Sequence, residues 1–163
     1  MSNLQPIWPL TINGKEIRWQ EFRTSYFAKL KDILNMPGSI VPVSICGKAP
    51  DWYSGIQYKK LAPSWSIYSD WKFNHHDNEI YTKRFNEEIL SKLDPKQVMS
   101  ELLERTDGKQ PCLICYEKPM EFCHRHLVAD WLNANGIIGF EVLFFTKLEQ
   151  TVKSPLESDN VHQ

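Results

Sequence analysis

Between Pro111 and Asn135 the chain runs PCLICYEKPMEFCHRHLVADWLNAN, and this stretch constrains the fold more than any other. A short apolar run, Pro111 to Tyr116, ends at the polar, proline-containing link Glu117 to Phe122. From Cys123 onward Leu127, Val128, Trp131 and Leu132 recur at helical spacing, with Gly136 placed to close the helix. The pattern predicts strand, loop, helix. Such a unit belongs with parallel strands, whose neighbours need crossover connections. The first amides of a helix lack partners inside it, so the start at Cys123-His124-Arg125-His126 is electropositive before any ligand arrives.

The rest of the chain fits around that unit. Asn13-Gly14 between Leu10–Ile12 and Glu16–Trp19 favours a two-residue hairpin turn, and a strand ending at Ser25-Tyr26 follows. Phe27 to Leu34 has helical spacing and stops at Met36-Pro37-Gly38. Ser39 to Cys46 is apolar on both faces, as in a buried parallel strand, although Pro42 argues against a central position. Ligands of open α/β sheets sit outside the carboxyl ends of the strands, so the Gly47–Gly55 loop and the Glu117–Phe122 loop should share one rim, which singles out Lys48 and Trp52. A helix should start near Pro63. Its Trp65, Tyr68 and Trp71 recur every three residues, which fits a core-facing stripe first and a ring-stacking platform second. Asp77 should cap a helix over Asn78–Leu93, Asp94-Pro95 should open another over Lys96–Thr106, and Phe140–Phe145 should be the last strand. The adjacent His75 and His76 read as solvent-facing.

The expected architecture is a single Rossmann-like α/β domain over residues 1–146, with a mostly parallel sheet flanked by helices, an N-terminal β-hairpin and a helical insertion, Leu61–Thr106, over the ligand-bearing rim. A polar tail, 147–163, is expected to stay unstructured. The length of 163 residues suits one core.

Net charge of −1 and a pI near 6.5 give no general field for a polyanion, so nucleic acid is not an expected partner. No apolar run approaches the ~20 residues of a membrane span, and the N-terminus lacks the basic-then-apolar layout of a secretory signal. A cytoplasmic location without a membrane partner is therefore expected. Cys46, Cys112, Cys115 and Cys123 then read as reduced thiols.

Two chemistries fit the helix start. In one, helix amides and the planar fork of Arg125 hold a phosphate or carboxylate. Cys123, at the helix N-terminus beside His124 or Arg125, would then be acidified into a nucleophile. Glu117 could serve as a general base, accept from a ribose hydroxyl, or pair with Arg125. Cys123 and Arg125 are too close in sequence for a phosphatase loop. In the other chemistry a metal binds. Cys112 and Cys115 lie three apart on a strand and so face opposite sides, which leaves only Cys115, Cys123 and one of His124 or His126 as a set. On balance no metal and no cofactor is assigned.

The pairing of Cys115-Tyr116-Glu117 with Cys123-His124-Arg125 resembles the DUF488 family, a group of small proteins without an assigned function. Thr24-Ser25-Tyr26-Phe27, Ser44-Ile45-Cys46-Gly47, Pro50-Asp51-Trp52-Tyr53 and Tyr58-Lys59-Lys60-Leu61-Ala62-Pro63 follow the same resemblance, which runs from Thr24 to Phe145. It implies a Rossmann-like fold and little biochemistry. The candidate catalytic residues are thus Glu117, Cys123 and His124. The candidate ligand contacts are Arg125, Lys48, Trp52, Cys115 and Tyr58. The expected function is binding or processing of a nucleotide-derived or other anionic small molecule, as a hydrolase or transferase if it is an enzyme. The alternatives are a sensor or sequestering module, or a Cys/His metal-binding protein.

Overall fold

The computed structural model of the chain describes residues 10–12, 15–17, 21–36, 38 and 40–143. Strands β1 (Leu10–Ile12) and β2 (Lys15–Ile17) pair antiparallel, as the hairpin expectation required; the Asn13-Gly14 turn and the tail from 147 onward lie outside the described residues. The main sheet is all-parallel and contains β3 (Glu21–Tyr26), β4 (Ile40–Ser44), β5 (Ile56–Gln57), β6 (Gln110–Cys115) and β7 (Ile138–Glu141), in the order β5-β4-β6-β3-β7. Helices α1 (Leu30–Leu34), α2 (Trp65–Ser69), α3 (Asn78–Glu88), α4 (Pro95–Arg105) and α5 (His124–Ala134) flank it. This is the Rossmann-like α/β fold expected from the alternating pattern.

The apolar run Cys112–Cys115 forms the middle of the sheet, buried on both faces between β4 and β3. Pro42 is tolerated in β4, one strand in from the edge, because the outer neighbour β5 pairs only with Val43 and Ser44. The Pro42 carbonyl points outward and accepts from the Tyr53 hydroxyl at 3.5 Å. In a parallel strand a residue's N–H and C=O face the same neighbour, so the donor that proline lacks would have met no strand.

Side-chain caps set the helix starts. The Asp77 carboxylate accepts from the Glu79 and Ile80 amides, Asp94 from Lys96, and Ser64 from Ile67. Helix α2 is followed by a π-type segment, Asp70–His75, which ends at His76 in the left-handed region with φ of 48°. The last strand begins two residues earlier than Phe140. It lies close on β3 because Gly139 has no side chain: a Cβ there would run into the Phe22 ring.

Every strand of the main sheet runs the same way, so β3, β4 and β6 end on one rim. The order of the sheet reverses there, since β6 is inserted between β3 and β4. We expect Gly139→Ala to destabilise the fold by about 2 kcal/mol through overpacking against Phe22, read as a lowered urea midpoint with unchanged slope. A midpoint equal to that of the wild type would contradict this packing.

Candidate active site

Helix α5 opens at Cys123, whose extended backbone leaves the helix and whose sulfur acts as the N-cap. The Sγ atom accepts from the Arg125 amide at 3.5 Å and from Arg125 Nη1, also at 3.5 Å. A sulfur at a helix N-terminus receives both free amides and the positive end of the dipole, which favours the thiolate. Cys115, the last residue of β6, is fully buried beside it, and the His124 ring completes the group. One ligand atom from each of Cys115, Cys123 and His124 lies within 4.8 Å of the others.

Cys115 Sγ is 3.5 Å from His124 Nε2 and 3.8 Å from Nδ1. His124 Nε2 also lies 2.8 Å from the Ile45 carbonyl oxygen. A carbonyl can only accept, so Nε2 carries a proton and donates it, leaving Nδ1 as the variable position. The ring is therefore held from the β4 side of the crevice.

Electrostatics follow this geometry. The Cys115 thiol, donating to Cys123, is the largest influence on it; with His124 and Arg125 adding to that, Cys123 is held well below the ordinary thiol range against the opposing cost of burial. Cys115 itself is pushed well up, by burial first and then by its neighbouring sulfurs. Its proton can serve Cys123 or Cys46, not both at once. Cys123 is the favoured recipient because it alone also has the helix amide and Arg125. Burial, and then the charge on Cys123, lift Glu117 to about 7. For His124 burial pulls the pKa down, but the bond and charge of Cys123 outweigh it and the net shift is upward.

Of these groups Glu117, Cys123 and His124 form the floor of a cavity of about 780 Å³. Cys46, Glu117, Cys123 and His124 line its depth, Gly47 and Lys48 come from the loop after β4, and the walls are the rings of Trp65, Tyr68, Trp71, Tyr81, Tyr116 and Phe122. The Tyr116 hydroxyl donates to the Lys48 carbonyl at 2.7 Å and so ties the loop after β6 to the loop after β4. The helical insertion does close over the rim, and it does so with its aromatic face. Trp65, Tyr68 and Trp71 thus line the cavity, and Trp65 is 71% exposed, which corrects the core-stripe reading.

Several expected contacts lie elsewhere. Arg125, expected to hold an anion, has no exposed surface and is not part of the cavity wall. Its Nε and Nη2 donate to the two oxygens of Glu141 at 3.0 and 2.8 Å, and Nη1 donates to the Glu117 carbonyl at 2.7 Å. Tyr58 is fully buried and donates to Glu101 at 2.6 Å, away from the cavity. Trp52 stands edge-on to Phe27 at 6.0 Å and does not line it. Cys115 lies beneath the floor. The partner Glu141 was not singled out by the sequence; its signal was the lone carboxylate inside the apolar run Phe140–Phe145.

A family model described as "Active DUF488-N3 subclade" matches residues 38–136, a span that holds every cavity-lining residue and all three members of the Cys115, Cys123, His124 group. No curated protein and no solved structure matches the chain.

Glu141 makes the guanidinium tolerable at zero exposure, and the Thr24 hydroxyl donates to the same carboxylate at 2.5 Å. Breaking such a pair from one side leaves an uncompensated buried charge, so Glu141→Ala should cost about 3–5 kcal/mol. Replacing both residues, as Arg125→Met with Glu141→Leu, should recover much of that loss. Chemical unfolding of the two variants checks this, and equal stabilities for the single and double variants would contradict it.

Proposed function

The chain belongs to the DUF488 family, and on that premise we propose that it is an enzyme, a hydrolase or transferase that acts on a small, planar-ringed, nucleotide-derived molecule with Cys123 as nucleophile. The observation that carries this is the meeting of Glu117, Cys123 and His124 on the floor of one aromatic-walled cavity. A binder would need the rings alone. An acidified thiol beside a carboxyl group held near neutral pKa is the equipment of bond cleavage, and the description of the matched subclade as active agrees with that.

The walls suit a flat ring, since each aromatic face offers a stacking surface. Lys48 at the mouth supplies the charge that an anionic group on the ligand would meet. In the first step the Cys123 thiolate gives its electron pair to the electrophilic carbon. The bond to the leaving nitrogen or oxygen breaks with its pair, and Glu117, in its protonated form, hands that atom its proton. In the second step the Glu117 carboxylate takes a proton from water, or from an acceptor hydroxyl, as its oxygen attacks the same carbon. The carbon–sulfur bond then breaks and the thiolate returns. His124, fixed by Ile45, balances the thiolate charge through both steps.

The test is incubation of the purified chain with a panel of nucleosides, nucleotides and nucleotide conjugates, followed by mass spectrometry of the small molecules and of the intact protein. The wild type should consume at least one member. Cys123→Ser should lose most of that turnover, and Glu117→Gln should slow it about 10²–10⁴-fold while leaving a covalent adduct on Cys123. Turnover by Cys123→Ser at the wild-type rate, or no consumption of any member, would remove the proposal.

A further inference from the structure

The thiol and imidazole cluster at and beneath the cavity floor has the donor types of a metal site. Cys115, Cys123 and His124 each present one soft or borderline donor within 4.8 Å of the others, and all three are buried. A tetrahedral zinc ion with sulfur at ~2.3 Å and nitrogen at ~2.0–2.1 Å places its donors ~3.5–3.8 Å apart. Cys115 Sγ stands 3.8 Å from His124 Nδ1 and 3.5 Å from Nε2, so an ion on Nδ1 requires the Cys115 side chain to swing away from Nε2.

The orientation of the imidazole is an independent observation. A histidine that binds metal through one ring nitrogen characteristically donates its other N–H to a carbonyl or carboxylate, which fixes tautomer and angle. His124 does this: Nε2–H donates to Ile45 at 2.8 Å. The lone pair of Nδ1 is thereby left for a cation. Cys112, three residues before Cys115 on β6, pairs in register with Arg23 while Cys115 pairs with Tyr26, so its side chain faces the other side of the sheet and plays no part. Cys123 and His124 also line the cavity, which puts a fourth coordination position in the open space above them.

We propose that Cys115 Sγ, Cys123 Sγ and His124 Nδ1 form a Zn(II) site, with its fourth position open to the cavity, and that an occupied site withdraws Cys123 from reaction. Each sulfur binds as a thiolate and Nδ1 binds through its lone pair, and any proton these three atoms hold passes to water in the cavity. The coordinated sulfur has given its electron pair to the metal and is no longer free to attack carbon. Two thiolates with an imidazole favour zinc over calcium or magnesium, which take oxygen donors. The second half of the proposal rests on the nucleophile reading given above; the metal site does not.

The experiment uses the full chain stripped with chelator, with zinc alone as the probe. We expect one zinc per chain by elemental analysis after gel filtration, and thiolate-to-cobalt charge-transfer absorption when Co(II) replaces it. Alkylation of Cys123 by iodoacetamide, read by peptide mass spectrometry, should slow about 100-fold when zinc stands at 100 times its dissociation constant, and chelator should restore it. Cys115→Ala should lose both the zinc and the protection while Cys123 still alkylates, and Cys112→Ala should keep both. If Cys115→Ala fails to fold, the cobalt band intensity in the wild type decides, since two thiolates are required. Substoichiometric zinc at excess metal, zinc retained by folded Cys115→Ala, or bound zinc that leaves alkylation unchanged overturns the proposal. Fast alkylation without zinc binding sinks the metal site alone. Slow alkylation of the metal-free chain sinks the nucleophile reading, and zinc stoichiometry is then judged separately.

Discussion

The ion pair between Arg125 and Glu141 is the constraint on which the site depends. It joins the first turn of α5 to the last strand of the sheet with two parallel hydrogen bonds, and a third bond from the same guanidinium holds the Glu117 carbonyl. Arg125 also donates to Cys123 Sγ from its side chain and from its amide. One buried cation therefore sets the distances between β7, the loop after β6 and the helix start. Buried pairs of this kind contribute little net stability against well-packed apolar side chains. What this one contributes is position: it places a sulfur and a carboxylate on the same floor.

The chemistry follows from that placement. Arg125 is hidden from the cavity and acts on the sulfur from behind, where no ligand competes for it. The cavity itself stays mainly aromatic, with Lys48 the only lysine or arginine among the described residues that line it. Burial, and then the charge on an acidified Cys123, raise Glu117, and a Glu117 that keeps its proton spares the floor a second negative charge. Below neutral pH the two groups thus hold opposite protonation states, the division of labour that acid–base and nucleophilic steps require. In the proposed zinc site the same sulfur, with Cys115 and His124, would hold a metal instead, so the two proposed uses exclude one another.

Much of the fold was legible because it rests on local patterns. The strand, loop and helix from Pro111 to Asn135, the caps at Asp77 and Asp94 and the shared rim of the two loops all follow from periodicity and end-residue chemistry. Pro42 was a fair warning that failed only because β5 is two residues long, and no local signal gives the length of a neighbouring strand. The stripe Trp65, Tyr68, Trp71 was visible, but spacing cannot say whether an apolar face meets protein or an open cavity. The role of Arg125 was hidden for a related reason. A guanidinium at a helix start looks like an anion site until its partner is known, and Glu141 sits sixteen residues away on a strand with no spacing rule to link them.

No helix among the described residues is long and apolar enough to cross a membrane. The central claim is that the end of β6, the start of α5 and the Arg125 clamp together make Cys123 a thiolate near neutral pH. Ultraviolet absorbance of the metal-free chain followed across pH, with Cys123→Ser as the blank, measures this directly. The account requires Cys123 to be ionised already at pH values well below the ~8.5 of a free thiol. A Cys123 that ionises at or above that value would contradict it.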